Sequence, residues 1–323
     1  MHAAAPQLSK TARPSDLGLG LGLDAGGTQT RWALARAGEL LAQGHVAGLS
    51  GMQLADEAGR GELRGTLAAL AAALAPYGPI SAIHAGITGL PDTDQQGINE
   101  MKRLLAESLG LGHQAIHCRS DIRMAWQAAF NTKADGYLIY AGTGSMAAFV
   151  DTEGRLHRAG GRGLLLGDEG SGGWIATQAL AQVWRMEDEA PGSAVAESAM
   201  ARALFAAIGG SDWAASRAYV YQHSRGQVGQ LALAVAASAS DDARAADLLH
   251  RAGEELARLG LAMLQRFGQR PIVVAGRVLN LSPLIEQSLR QSLNSTAGPA
   301  VDIQLQQLQP QRQAALAACP AAH

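Results

Sequence analysis

The chain has 323 residues, of which 47% are hydrophobic and 17% charged, and its formal net charge is −2. This length allows about two domains, and this composition argues against global disorder. Because no basic stripe stands out, nucleic acid is not an expected partner. Two distant cysteines, Cys118 and Cys319, argue against a disulfide framework or a cysteine-rich metal site and favour a reducing cytoplasm.

No apolar run reaches the roughly 18 residues of a membrane span, so no membrane association is expected. Charged residues interrupt the first 16 residues, which lack the unbroken apolar stretch of a signal peptide. We interpret residues 1–16 as a disordered lead-in to a cytoplasmic protein.

In chain order, hydrophobic periodicity and breaker residues predict alternating strands and helices in the first part of the chain. The predicted strands are 17–23, 32–35, 40–46, 80–88 and 115–118, and the predicted helices are 61–78, 94–109 and 120–130.

At Gly136 the opening pattern returns as strand, glycine-and-hydroxyl turn, strand, tight turn and strand. Its turns fall at nearly the same offsets as those of residues 18–44, which indicates an internal repeat, although chance similarity of two hairpins remains the alternative. The repeat predicts two α/β domains, 17–130 and 131–323, with a ligand cleft between them.

The second part of the chain adds a long helical insertion, about 174–267, in which Asp241 is a plausible N-cap. A short buried strand after Pro271 and helices at 281–293 and 311–319 complete the prediction. We expect the last helix to be able to pack back on the N-terminal domain. The five tryptophans are expected in the core.

Two glycine turns follow the strands that open the two repeats, and successive N–H groups in such turns form anion-binding nests. Facing turns could hold a polyphosphate, with Mg²⁺ held by Asp24 through water. An ordinary hairpin is the alternative for each turn alone. Neither the P-loop nor the dinucleotide motif is present. The candidate phosphate-binding residues are Gly26, Gly27, Thr28, Thr30, Gly142, Thr143, Gly144 and Ser145.

Asp121 lies at a predicted strand-to-helix junction. A carboxylate there could accept a proton from a hydroxyl that attacks a phosphoryl group. Helix capping is an equally good interpretation from the residues alone.

Seven of the fourteen residues 160–173 are glycine, too many for a stable strand or helix. Three leucines at its centre argue against a solvated linker, so the loop is expected to be shaped around a ligand. Asp168 and Glu169 could then meet the hydroxyls of a polar substrate, or could be carboxylates favoured by a helix dipole. Further along, Gly276 and Asn280 could lie against a purine or ribose, or form a plain strand-to-helix turn.

In this order, the segments resemble the actin-like ATPase superfamily, and more narrowly its N-acetylglucosamine kinase branch, grouped with the BadF/BadG/BcrA/BcrD ATPases. "LDAGGTQTR" and "YAGTGSMA" resemble its two phosphate motifs, "RSDIRMAW" the segment of its catalytic aspartate, and "VVAGRV" its adenosine motif. "GGRGLLLGDEGSGGWIATQA" resembles its sugar-binding loop, and "AGITGL" a further loop of the sugar pocket. The resemblance implies two ribonuclease-H-like domains that close around ATP·Mg²⁺ and an amino sugar.

By the same resemblance, Asp121 is the catalytic base and Asp24 the magnesium residue. The implied sugar-binding residues are Thr88, Gly89, Asp121, Thr143, Gly161, Arg162 and Asp168. Met52 stands near a point where the family often has Asn, and Arg162 where an aromatic often appears. Glucosamine or another hexose is therefore possible in place of N-acetylglucosamine.

The leading hypothesis is an ATP-dependent kinase that phosphorylates an amino sugar, N-acetylglucosamine or glucosamine, at the 6-hydroxyl. A homodimer is left open. One alternative is a non-catalytic sugar sensor that acts through a protein partner. Another is an ATPase that activates an iron–sulfur enzyme, which the scarcity of cysteine disfavours.

Overall fold

The computed structural model describes residues 18–130, 135–297 and 301–319. The chain divides into two compact α/β units. The first unit holds the residues up to Ala128 and those from Gln309 onward, and the second holds Ala129–Leu308. The division lies two residues before the predicted boundary, while residues 1–16 lie outside the described part.

The first unit contains five strands in the order β3-β2-β1-β4-β5. The first three strands pair antiparallel, whereas β4 and β5 run parallel to β1. β1 continues through Asp24 to Ala25, beyond its predicted end, because both neighbouring strands pair with it that far. The strands are β1 (Leu19–Ala25), β2 (Gln29–Arg36), β3 (Glu39–Ala47), β4 (Ile80–Ile87) and β5 (Ile116–Ser120).

Three helices of this unit follow in the sequence: α1 (Glu57–Leu74), α2 (Gln95–Leu109) and α3 (Asp121–Phe130). α1 begins earlier than predicted because the Asp56 carboxylate accepts the Gly59 N–H and caps it. Apolar residues of α1 and α2 join those of the sheet in one core, among them Leu21, Leu23, Ile83, Leu63, Leu67, Met101 and Leu105.

The second unit repeats this strand order as β8-β7-β6-β9-β10, so the predicted internal repeat is present in the topology. Its antiparallel and parallel pairings also correspond to those of the first sheet. The strands are β6 (Tyr137–Ala141), β7 (Ser145–Val150), β8 (Leu156–Gly160), β9 (Ile272–Ala275) and β10 (Ile303–Gln306). The last of these was not predicted.

Helices make up most of the second unit. They are α4 (Gly172–Glu189), α5 (Ser193–Glu197), α6 (Ala199–Ile208), α7 (Trp213–Gln222), α8 (Arg225–Gly229), α9 (Leu231–Ser238), α10 (Ala243–Phe267) and α11 (Pro283–Ala297). Asp242, not Asp241, caps α10. Trp213 is 64% exposed, so its expected core position is wrong. Across the described ranges, every helix is too short or too polar to cross a bilayer.

The last helix, α12 (Pro310–Ala318), belongs to the first unit and packs on β1, β2 and β4. Its backbone lies so close to β1 that a Cβ at Gly20 or Gly22 would overlap Ala315 or Gln311. The alternating glycines of the opening strand therefore have a packing function, since they admit a helix onto one face of the sheet.

Candidate functional site

The first glycine turn joins β1 to β2 and is open on its outer side. Gly26 N–H donates to the Gln29 carbonyl at 3.1 Å, which closes the turn. Gly27 and Thr28 are exposed, and a Cβ added at Gly27 would meet nothing within 4 Å. The turn thus presents backbone N–H groups where an anion could approach them.

Thr30 does not share this exposure. It lies in β2, is completely buried, and its hydroxyl has no hydrogen-bond partner among the described residues. The alternation of β2 puts Thr30 on the core face of the sheet together with Trp32. Its position therefore gives no support to the prediction that it donates to phosphate.

Two neighbouring loops form backbone hydrogen bonds at the first turn. Leu49 N–H donates to the Gly26 carbonyl at 3.1 Å, and Gly51 N–H donates to the Thr88 carbonyl at 2.9 Å. Thr88 N–H in turn reaches the Ala25 carbonyl at 2.9 Å, so Thr88 lies beside the turn. The loop at residues 48–51 leads directly to Met52, the position noted in the sequence for sugar specificity.

Gly89 and Met52 form the outer part of this region. Gly89 has a φ of +69°, and a Cβ there would stand 2.8 Å from Met52 Cγ. The Met52 side chain is 71% exposed although it is apolar. Residues 52 and 89, both of interest for sugar recognition, are therefore in contact.

Asp121 is the first residue of α3 and follows β5 without an intervening loop. One of its carboxylate oxygens accepts the Ile122 N–H at 2.7 Å. The end of a parallel strand is where sheets of this kind hold their ligands.

Asp24 lies within electrostatic reach of Asp121. Burial raises the pKa of Asp24 to about 6, Arg31 at 3.7 Å opposes the rise, and Asp121 adds to it. A cation would relieve both the burial of this charge and the repulsion between the carboxylates. The donor set therefore fits Mg²⁺. Because no group of three acidic, His or Cys side chains suited to a metal occurs among the described residues, water and phosphate would supply the remaining ligands.

The second glycine turn joins β6 to β7, and the start of α4 holds it. Gly142 N–H donates to the Gly144 carbonyl at 2.8 Å. The carbonyls of Gly142 and Thr143 accept the N–H groups of Gly172 and Gly173. The carbonyls of the turn are therefore bound by the helix, and glycine turns of this kind can present successive N–H groups to an anion.

Ser145 is not exposed in this turn. Its side chain is buried, and its hydroxyl donates to the Glu169 carbonyl at 2.6 Å. A phosphate contact from this hydroxyl would require that hydrogen bond to break, so its predicted binding role is unsupported. Ser145 instead joins the turn to the glycine-rich loop, since its carbonyl also accepts the Gly161 N–H.

Asp168 ends the glycine-rich loop in a left-handed backbone conformation, with a φ of +61°. It is 2% exposed and forms an ion pair with Arg225, a residue that no sequence motif indicated. A Cβ at Gly144 would stand 2.8 Å from the Asp168 carboxylate, so the loop and the second turn meet here. Burial lowers the pKa of Arg225.

The tip of the same loop is exposed. Arg162 is exposed, and Leu165 and Leu166 are 97% and 76% exposed. That the loop is shaped around a ligand stays a prediction.

Gly276 follows β9 with a φ of +114°, and a Cβ there would overlap the backbone of Ala141. Close packing against β6 thus explains this glycine without a nucleotide. Asn280 is exposed at the end of a short 3₁₀ turn, residues 277–280.

The family model for the BadF/BadG/BcrA/BcrD ATPase family matches residues 21–318. No curated protein sequence matches the chain. Among solved structures, a protein from Chromobacterium violaceum, provisionally described as an N-acetylglucosamine kinase, is 26% identical with a TM-score of 0.71. The match covers 94% of this chain and 99% of that one.

Two further structures share the fold. A provisionally described N-acetylglucosamine kinase from Porphyromonas gingivalis is 18% identical with a TM-score of 0.69, covering 92% of this chain and 97% of that one. A ROK family glucokinase from Streptomyces griseus, in complex with glucose and AMPPNP, is 18% identical with a TM-score of 0.57, covering 93% and 98%.

Proposed function

Since the chain belongs to the BadF/BadG/BcrA/BcrD ATPase family, we propose that it is an ATP-dependent kinase that phosphorylates an amino sugar at the 6-hydroxyl. N-acetylglucosamine and glucosamine are the leading substrates. The observation that carries the proposal is the pair Asp121 and Asp24, two interacting carboxylates in the unit that also holds an open glycine turn. The solved structures described above favour sugar over other acceptors.

Asp121 is the general base in this proposal. A carboxylate at the start of α3 would accept the proton of the sugar hydroxyl as that oxygen attacks the phosphorus, and would hold the hydroxyl in line. Thr88 and Gly89, on a neighbouring loop of the same unit, would contact the sugar ring.

The two glycine turns would bind the phosphate oxygens through backbone N–H groups, chiefly those of Gly27, Thr28, Thr143 and Gly144. When bound at Asp24, Mg²⁺ would neutralise charge on the phosphates. Gly276 and Asn280 would border the adenosine.

The glycine-rich loop would bind sugar hydroxyls through Asp168, Thr143, the Gly161 backbone and Arg162. The ion pair with Arg225 fixes the direction of the Asp168 carboxylate. A buried, oriented acceptor discriminates strongly between sugars that do and do not offer it a hydroxyl. Met52, exposed and apolar beside Gly89, gives no hydrogen bond for an acetamido group, so glucosamine is as good a candidate as its N-acetyl form.

The test is ADP release from ATP·Mg²⁺ with N-acetylglucosamine, glucosamine, N-acetylmuramic acid, N-acetylmannosamine and glucose offered separately. We expect strong stimulation by one amino sugar. An Asp121→Asn preparation purified in parallel reveals any contaminating kinase. If no sugar stimulates ADP release while calorimetry still detects sugar binding, the kinase proposal is wrong and a sugar sensor replaces it.

A further inference from the structure

We propose that Asp92 is a positioning residue for Asp121, because its carboxylate binds the backbone of Ser120 and the side chain of Arg123 on either side of Asp121 and links them to the loop that carries Thr88 and Gly89. This inference rests on the proposed kinase function. Asp92 lies in the segment between β4 and α2, with no sequence signal to separate it from ordinary turn residues.

The contacts of Asp92 flank Asp121 in the sequence. Its Oδ1 accepts the N–H of Ser120, the residue before Asp121, at 2.8 Å. Its Oδ2 accepts Nε of Arg123, two residues after Asp121, at 2.6 Å. One carboxylate therefore binds both the last residue of β5 and the Arg123 side chain in the first turn of α3.

Asp92 makes these contacts at the end of an edge strand of the sheet. Within the described part of the chain, β5 is an edge strand whose one partner is β4, and it ends at Ser120. Edge strands lack a second neighbour to fix their ends. Because α3 begins at the next residue, any movement of Ser120 would move Asp121 with it.

The side chains that form these contacts are also largely buried, which makes the contacts rigid. The side chains of Asp92 and Arg123 are 21% and 14% exposed. Burial opposes the charge of Asp92, but the hydrogen bonds from Ser120 and Arg123 outweigh it and hold the pKa below its usual value. The carboxylate therefore stays ionised and fully engaged at neutral pH.

The same loop contacts the first glycine turn, since Thr88 N–H donates to the Ala25 carbonyl. Asp92 thus fixes the distance between the proposed base and the proposed sugar contacts at Thr88 and Gly89. A misplacement of a reacting group by about 1 Å can lower a rate by about 10²-fold.

The test compares Asp92→Ala, Asp92→Asn and Asp94→Ala in the full-length protein with its best sugar. Asp92→Ala should lower kcat by about 10- to 100-fold, with the KM for ATP and the calorimetric Kd for sugar close to those of the wild type. Asp92→Asn should recover part of kcat, since its amide oxygen can still accept the Ser120 N–H.

Asp94→Ala is the matched control. Asp94 lies two residues away and caps α2 through the Gly97 N–H at 2.9 Å. Its loss should lower the Tm without lowering kcat. Equal losses of kcat in Asp92→Ala and Asp94→Ala, or a normal kcat in Asp92→Ala, would overturn the positioning role. An inactive wild type would instead refute the kinase function itself.

Discussion

The two sheets share a strand order, yet different residues follow the corresponding strands. When the turn at Gly26 is aligned with the turn at Gly142, Asp24 corresponds to Tyr140. By its position directly after the strand, Asp121 after β5 corresponds to Gln307 after β10. The repeated backbone supplies a glycine turn in both units, but only the first unit has carboxylates at these two positions.

The second unit has a buried carboxylate elsewhere, in an ion pair with an exposed arginine. Asp168 and Arg225 meet at Gly144, on segments that the first unit does not have. The two units thus share a strand order and a glycine turn. In the proposed kinase, proton transfer and metal binding would belong to the first unit, and the Asp168 carboxylate of the second would accept a hydroxyl of the sugar.

The largest expected effect is on kcat and comes from replacing Asp121, one of the two carboxylates that distinguish the first unit from the second. Asp121→Asn keeps the shape of the side chain but removes the base, so kcat should fall by at least ~10²-fold while sugar binding by calorimetry persists. Gln307→Ala, at the corresponding exposed position of the second unit, should leave kcat unchanged. Comparable turnover in the two variants would contradict the division of labour.

Local patterns were sufficient for the repeat, the two turns and the position of Asp121, because strand periodicity and turn chemistry depend on neighbouring residues. Residues that act through distant contacts could not be predicted. Asp92 meets Ser120 across 28 positions and Arg225 meets Asp168 across 57.

The burial of two hydroxyl groups could not be predicted from the sequence either. Thr30 and Ser145 look like phosphate donors beside glycines, yet the first faces the core and the second bonds to Glu169. Which face of a strand is covered depends on helices far away in the chain. The exposed Trp213 was missed for the same reason.

The next effect is on the free energy of unfolding, and it tests how the packing of β1 differs from that of β6. Gly22 corresponds to Leu138, a buried leucine, but α12 leaves no room for a side chain at Gly22. Gly22→Ala should destabilise the protein by ~1–3 kcal/mol or more, measured by urea unfolding. Gly65→Ala in α1, where an added Cβ meets nothing, is the control and should stabilise by ~0.5–1 kcal/mol. A neutral Gly22→Ala would mean that α12 does not lie on β1.

A smaller effect follows from Asp24, whose counterpart Tyr140 is not an acid. With a pKa raised from 3.8 to about 6, the folded protein binds this proton more tightly than the unfolded chain does. Stability therefore falls as pH rises from 3.8 to about 6 and stays lower above that range. The shift corresponds to at most ~3 kcal/mol, and partial exposure lowers this to about 1–2 kcal/mol.

Asp24→Asn, measured without nucleotide or metal, should thus be more stable than the wild type at pH 8 and equal to it at pH 3.5. Addition of Mg²⁺ with ATP should reverse the order at pH 8, because the wild type alone keeps the carboxylate. A variant less stable than the wild type at pH 8 without ligand would show that Asp24 is stabilised by Arg31 more than it is penalised by burial.

The smallest effect concerns His84, which pairs with Gly22 of β1 and with His117 of β5. Its counterpart in β9 is the apolar Val273, which pairs with Leu138. Burial, His117 and Arg119 lower the pKa of His84 from 6.5 to about 4. The unfolded chain therefore binds this proton more readily, so the contribution to stability is complete above pH 6.5 and is lost as pH falls towards 4. His84→Gln should shift the acid-unfolding midpoint to lower pH, whereas exposed His113→Gln should not. An unchanged midpoint in His84→Gln would show that His84, like Val273 in the second sheet, takes no part in acid unfolding.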